Sequence, residues 1–200
     1  MRAPLIAIFA AFALAACGTE DGSPTIRVAV DAAPAVTAPV EPEVELIPLS
    51  DAAAEKIADI RAVLARDSLS RFVRLASSEE SFVSNFAGES HRVHWDLLRR
   101  TGFDPLKRIG DLLDGPYGTR QVGDQTWYIW PDFAAYESDE ILPEILNFAD
   151  RARLSALVGE QGLIRIREGM AYPGIRTAIA EDGRWLYFVH ETVEETQASD

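Results

Sequence analysis

The sequence predicts an α+β fold in which N-terminal helices pack on a mainly antiparallel sheet of two hairpins. Between Ser50 and Leu113, apolar residues recur at helical spacing behind residues suited to cap a first turn. Later, two pairs of strand-like runs flank Gly123-Asp124 and Glu181-Asp182-Gly183, short turns of the kind that join antiparallel neighbours. A small SH3-like barrel with helical additions is the alternative arrangement of the same elements.

Ser50 is placed to cap the first helix and Asp51 to meet the positive end of its dipole, with Ile57, Ile60 and Leu64 on one face. That helix is expected to run to about Arg66. Leu69, Phe72, Val73 and Leu75 give a second helix to about Ser77, with Arg71 and Arg74 outward. Ser78-Glu79-Glu80-Ser81 reads as a third helix start feeding Phe82 and Val83, broken by Asn85 and Gly88. Ser90 to Gly102 reads as a capped helix closed by glycine, and Asp104-Pro105 opens another that turns Leu106, Ile109, Leu112 and Leu113 inward.

Strands are expected at Thr119–Val122 and Gln125–Trp130, and again at Ile175–Ala180 and Arg184–Val189. The hairpins echo one another, each with an arginine ahead of its turn and a tryptophan on its return strand. Between them, Ile141 to Phe148 is interrupted by Pro143, and Asp150 to Val158 reads as a helix closed by Gly159. Leu163, Ile164 and Ile166 fit a short helix or a strand.

Upstream of the helices the chain begins with Arg2, an apolar run from Leu5 to Leu14, and small residues before Cys17. This is the anatomy of an export signal. The run is too short to cross a bilayer core of about 30 Å as a helix. Leu14-Ala15-Ala16-Cys17 resembles the lipobox of bacterial lipoproteins, a likeness confined to Met1 through Gly18. It implies removal of residues 1–16 and acylation of Cys17 on its sulfur and freed amine, which would hold the protein on a membrane without a spanning helix. In Gram-negative members an aspartate after the cysteine favours the inner membrane. Gly18 stands here, so the resemblance implies the periplasmic face of the outer membrane.

Residues 17–48 read as the lipidated cysteine and a disordered tether, with Pro24, Pro34, Pro39, Pro42 and Pro48 among acidic residues and no aromatics. Ile26-Arg27-Val28-Ala29-Val30 alternates enough for a short strand within it. Residues 49–190 are then one globular domain, and 191–200 a disordered acidic tail. With a formal net charge of −13, the chain repels phosphate backbones, which disfavours nucleic acid as a partner. Nine basic against six acidic residues between Arg61 and Arg108 reverse that sign locally. Cys17 is the only cysteine, so packing, not disulfides, must stabilise the domain.

The densest polar run is Glu89 to Asp96. His91 and His94 share a helical face, and Asp96 is near enough in sequence to complete a metal-ligand set. The spacing lacks the H-E-x-x-H pattern, so no metal and no cofactor are expected, and the histidines are assigned to packing. Ser90 beside His91 points about 100° away on a helix, and no nucleophile elbow surrounds it. Asp132 with Glu137 and Asp139 with Glu140 lie in a loop. No catalytic residue is assigned.

Aromatic content in the strands is the stronger signal. Strict alternation places Trp127 with Ile129 opposite Tyr128 with Trp130, and Trp185 with Tyr187 opposite Leu186 with Phe188. Trp127, Trp130, Trp185 and Tyr187, with Arg99 and Arg100 on the Ser90–Gly102 helix, are the candidate ligand or interaction residues. These features favour a non-catalytic binding domain on an envelope lipoprotein, taking an envelope protein or another envelope component. A peptidoglycan or small-ligand module is the alternative, and an envelope hydrolase using His91 and His94 a weaker one.

Overall fold

Single side chains supply the hydrogen-bond acceptors that helix first turns lack. In the computed structural model, which describes residues 47–190, Ser50 Oγ accepts from the Ala53 amide at 3.1 Å to open α1 (Asp51–Leu64). Asp104 Oδ1 accepts from the Leu106 amide at 3.1 Å and opens α4 (Pro105–Leu113). Between these lie α2 (Leu69–Ser77) and α3 (His91–Arg100), the latter capped by Ser90. Asn147 caps α5 (Phe148–Arg167), which is broken at Gly159 (φ 66°) and then resumes. Gly159 was expected to end this helix. The stretch from Gly162 to Arg167, open between helix and strand in the sequence, is helical.

Four antiparallel strands form an open sheet in the order β1 (Gly118–Val122), β2 (Gln125–Trp130), β3 (Arg176–Ala180), β4 (Trp185–Val189). The fold is therefore α+β with two hairpins. The edge strands β1 and β4 do not pair with one another, so the barrel alternative does not describe this sheet.

Register makes one departure from alternation. Ile179 pairs with Trp185 but Ala178 pairs with Tyr187, which leaves Leu186 as the extra residue of a β-bulge. Trp185 and Phe188 therefore both face the helices, and Tyr187 faces the opposite side with Leu186. Strict alternation had put Trp185 and Tyr187 together; the inserted residue separates them.

While α5 packs Leu154 and Ile166 into a separate cluster with Phe133, Ile141 and Tyr172, the main core lies between α1–α4 and one sheet face. Phe72 sits at its centre, with ring centroids 4.6 Å from Trp95, 5.4 Å from Trp185 and 6.1 Å from Phe188. Trp185 Nε1 donates to Thr177 Oγ1 at 2.9 Å, and that hydroxyl donates to the Tyr187 carbonyl at 2.7 Å. Both polar groups are thereby satisfied while buried. The chain enters this layer under two phenols: Tyr117 donates to the Ile47 carbonyl and Tyr128 to the Pro48 carbonyl, each at 3.1 Å.

Ser78-Glu79-Glu80-Ser81, expected to start a helix, forms turns, and Ser81 adopts φ 63°. Glu79 is drawn out of any capping role: one oxygen pairs with Lys56 on α1 and the other accepts from the Trp185 amide. Val83 then bridges the outer edge of β4, donating to the Leu186 carbonyl at 3.1 Å and accepting from the Phe188 amide at 3.0 Å. This covers an edge that would otherwise be open to pairing with another chain.

Phe72→Ala removes the ring on which three aromatic neighbours meet. Chemical denaturation should show a loss of about 3–5 kcal/mol, typical of a fully buried phenylalanine. A loss below about 1 kcal/mol would mean that the aromatic cluster is not the centre of the core.

Candidate functional site

The sheet face turned away from the helices carries the candidate site. On β2 and β4 it presents Trp127 and Tyr187, both half-buried, on either side of β3. The β3 residues between them are small, with Ala180 opposite Trp127 and Ala178 opposite Tyr187. Two alanines between two large rings leave a trough. A 3₁₀ helix, Asp132–Ala135, lies against one side of it. It approaches so closely that a Cβ on Gly118 would stand 2.6 Å from Ala135 Cβ and 2.8 Å from the Asp132 carbonyl oxygen. Tyr136 on that side, and Ala171 and Tyr172 after α5, complete a groove of about 260 Å³.

Two guanidinium groups are fixed at the groove. Arg120, directly across the ladder from Trp127, donates from Nε to the Ala135 carbonyl at 2.9 Å and pairs through Nη2 with Glu137 at 3.3 Å. Arg176 donates from Nη1 to the Tyr172 carbonyl at 3.2 Å and the Gly174 carbonyl at 3.3 Å. Arg176 and Tyr187 also line a second, apolar concavity of about 230 Å³ against Val83, Phe86 and Val189. Burial pushes the Tyr187 phenol above its ordinary value, and the nearby Arg176 and Arg120 oppose that rise. Tyr172 is raised further, burial again being the cause. Both phenols stay protonated at neutral pH and can donate hydrogen bonds.

The sequence-chosen residues divide. Trp127 and Tyr187 line the groove. Trp130 and Trp185 are 2% and 0% exposed in the helix-side core, so neither offers a surface to a ligand. Arg99 and Arg100 are exposed in the last turn of α3, within the helix layer and apart from the groove. Arg120 and Arg176 were not singled out as site residues, although the arginine in each hairpin was visible. Register would have found Arg120, since it faces Trp127 across the first turn.

His91 and His94 do not form a reactive pair with Asp96. His91 Nδ1 shares a 2.7 Å hydrogen bond with the buried Ser84 hydroxyl, and its ring packs on Phe82 and Trp95. His94 is 6% exposed, and the Asp96 carboxylate pairs with Arg92 at 3.0 Å. Among the described residues, no group of three His, Cys, Asp or Glu side chains is placed to hold a metal ion. Asp132, read as a loop residue, opens the 3₁₀ helix and is engaged: Arg153 grips both its oxygens, at 3.0 and 2.8 Å, while lying over the Phe133 ring. Cys17, the tether through residue 46 with Ile26–Val30, and the tail at 191–200 lie outside the described residues, while Ile47 and Pro48, read as the tether's end, are held by Tyr117 and Tyr128. Comparisons with protein-family models, curated proteins and solved structures find no match.

Burial lowers the His91 pKa from 6.5, so the folded state binds this proton less readily than the unfolded chain. Its contribution to stability is complete above the unfolded value and is lost as pH falls through the lowered folded value. Denaturation at about pH 7 and about pH 5 should show stability falling with acid, and His91→Gln should reduce that fall. An unchanged fall in the variant would remove His91 as its source.

Proposed function

We propose that this chain is a lipid-anchored protein of the bacterial cell envelope, held through Cys17 on the periplasmic face of the outer membrane, whose domain binds a partner without transforming it. The observation that supports binding is the composition of the groove. Its lining combines aromatic rings with fixed guanidinium groups and includes no serine, cysteine, histidine, lysine or carboxylate. Rings of this kind stack on flat apolar faces such as those of sugars, and guanidinium groups pair with carboxylates. Peptidoglycan fragments present both, sugar rings in the glycan and carboxylates in the peptide stem. That match favours peptidoglycan over a protein surface as the ligand of this face.

Titration of the full chain with a disaccharide-peptide fragment of peptidoglycan should saturate. Trp127→Ala should weaken binding by several-fold to about tenfold, the worth of one aromatic contact. Binding that survives Trp127→Ala and Tyr187→Ala undiminished, in variants with unaltered circular dichroism, would reject the groove as the site.

Anchoring has its own test. Expressed in a Gram-negative host, the wild type should carry acyl mass and enter a detergent phase, and Cys17→Ser should do neither. Equal mass after cleavage and equal solubility would make this a free exported domain.

A further inference from the structure

Several arginines of this acidic chain are neutralised by a neighbouring carboxylate. Arg61 pairs with Asp114, Arg92 with Asp96, Arg153 with Asp132, Arg167 with Glu144 and Arg184 with Asp182. Between α1 and α2, three arginines without such a partner among the described residues line one hollow. Arg66, just beyond the end of α1, and Arg71 and Arg74, one turn apart on α2, converge on a concavity of about 480 Å³. None of the three pairs with a carboxylate among the described residues, although Asp59 lines the same concavity.

Three guanidinium groups around one hollow make its potential positive, which draws an anion toward it. Three acidic side chains would have cancelled them in a chain with 32 to draw on. The groups present are the ones best suited to phosphate. Guanidinium is planar, always charged, and offers paired donors that match two oxygens of a tetrahedral anion. Two or three such forks satisfy a phosphate more fully than a carboxylate, which has only two oxygens to share. Val63 and Leu75 give the hollow an apolar floor beneath these charges. An organic group attached to the phosphate would rest there.

We infer that the hollow between α1 and α2 is a binding site for a phosphate-bearing ligand, held by Arg66, Arg71 and Arg74. The phosphate comes either from a soluble ester or from a lipid headgroup, and the chemistry of capture is the same. This site is separate from the sheet-face groove and requires neither peptidoglycan binding nor acylation of Cys17.

The test uses the full chain carrying Cys17→Ser, so that no acyl group anchors it. Pyrophosphate is titrated calorimetrically, and vesicles of phosphatidylcholine alone or with added phosphatidylglycerol are tested by co-sedimentation. Neutral vesicles set the baseline for any insertion of the apolar Leu5–Leu14 run. Arg71→Gln/Arg74→Gln should weaken phosphate-dependent binding by about tenfold or more. Arg99→Gln/Arg100→Gln removes the same charge from α3, outside the hollow, and should leave binding nearly unchanged. All four residues are exposed, so circular dichroism should report an intact fold in both variants. Pyrophosphate binding without vesicle binding supports the site and assigns it to a soluble ester. Binding to phosphatidylglycerol vesicles alone supports it and assigns a lipid headgroup. Failure of both probes to bind overturns the inference. Equal loss in the two double variants also overturns it, since bulk charge would then explain the binding.

Discussion

The bulge at Leu186 is the constraint from which the organisation of the sheet follows. Alternation would send Trp185 and Phe188 to opposite faces, because they are three residues apart. With Leu186 inserted, both enter the helix-side core and meet Phe72. The same insertion turns Tyr187 to the other face. The Leu186 carbonyl and the Phe188 amide, on either side of Tyr187, are the groups that Val83 pairs with at the strand's outer edge. One extra residue thus serves the core, the candidate groove and the covering of an exposed edge. Bulges strengthen local twist and re-aim side chains, and here the re-aimed side chain is the one that lines the groove.

The two sheet faces are then built by opposite rules. The helix side is filled by large rings, with Trp95, Trp130, Trp185 and Tyr128 all buried. The other side is kept partly hollow by small residues. Ala178 and Ala180 separate Trp127 from Tyr187, and glycine at 118 admits the 3₁₀ helix. Glycine is also required at 183, where φ is 86° and a Cβ would lie 2.8 Å from the Ala52 carbonyl oxygen. There the second hairpin turn closes onto the start of α1, beside Ser50, whose hydroxyl donates to the Glu181 carbonyl at 2.6 Å. The first helix is therefore positioned by the turn of the second hairpin.

Elements with local signals were legible in the sequence. Ser50, Ser90 and Asp104 mark helix starts through groups they satisfy themselves, and both hairpins follow from turn residues and alternation. What was not legible depended on partners distant in sequence. Ser78 to Ser81 carries a local helix-start pattern, but Glu79 is engaged by Lys56 and by the Trp185 amide more than a hundred residues away. Gly159 looks like a helix terminus and is a break within α5. The bulge has no local mark, so the partners of Trp185 were misassigned. For the same reason Trp185 could be nominated for recognition although the core holds it, whereas Trp130 was nominated because alternation does not tell which face the helices cover. Of the candidate site, Trp127 and Tyr187 were visible as aromatics, whereas the contribution of Arg120 and Arg176 required the register that places them beside those rings.

The α1–α2 hollow and the groove lie on opposite layers, one formed by helices and the other on the far face of the sheet. If both proposals hold, occupying one would not obstruct the other, and the domain would link two ligands. Such a link need not rest on strong individual sites if Cys17 is acylated as proposed. Were residues 17–46 to behave as the tether their composition predicts, about thirty residues would reach roughly 30 Å by chain statistics. Over such a distance, effective concentrations approach the millimolar range, so a site with millimolar affinity would be substantially occupied at the membrane surface. The same site would bind little when the domain is free in dilute solution. Under that arrangement, the long acidic tether and the unneutralised arginines are complementary parts of one device: repulsion limits adsorption of the chain to anionic surfaces generally, while the hollow admits phosphate where three guanidinium groups face it together.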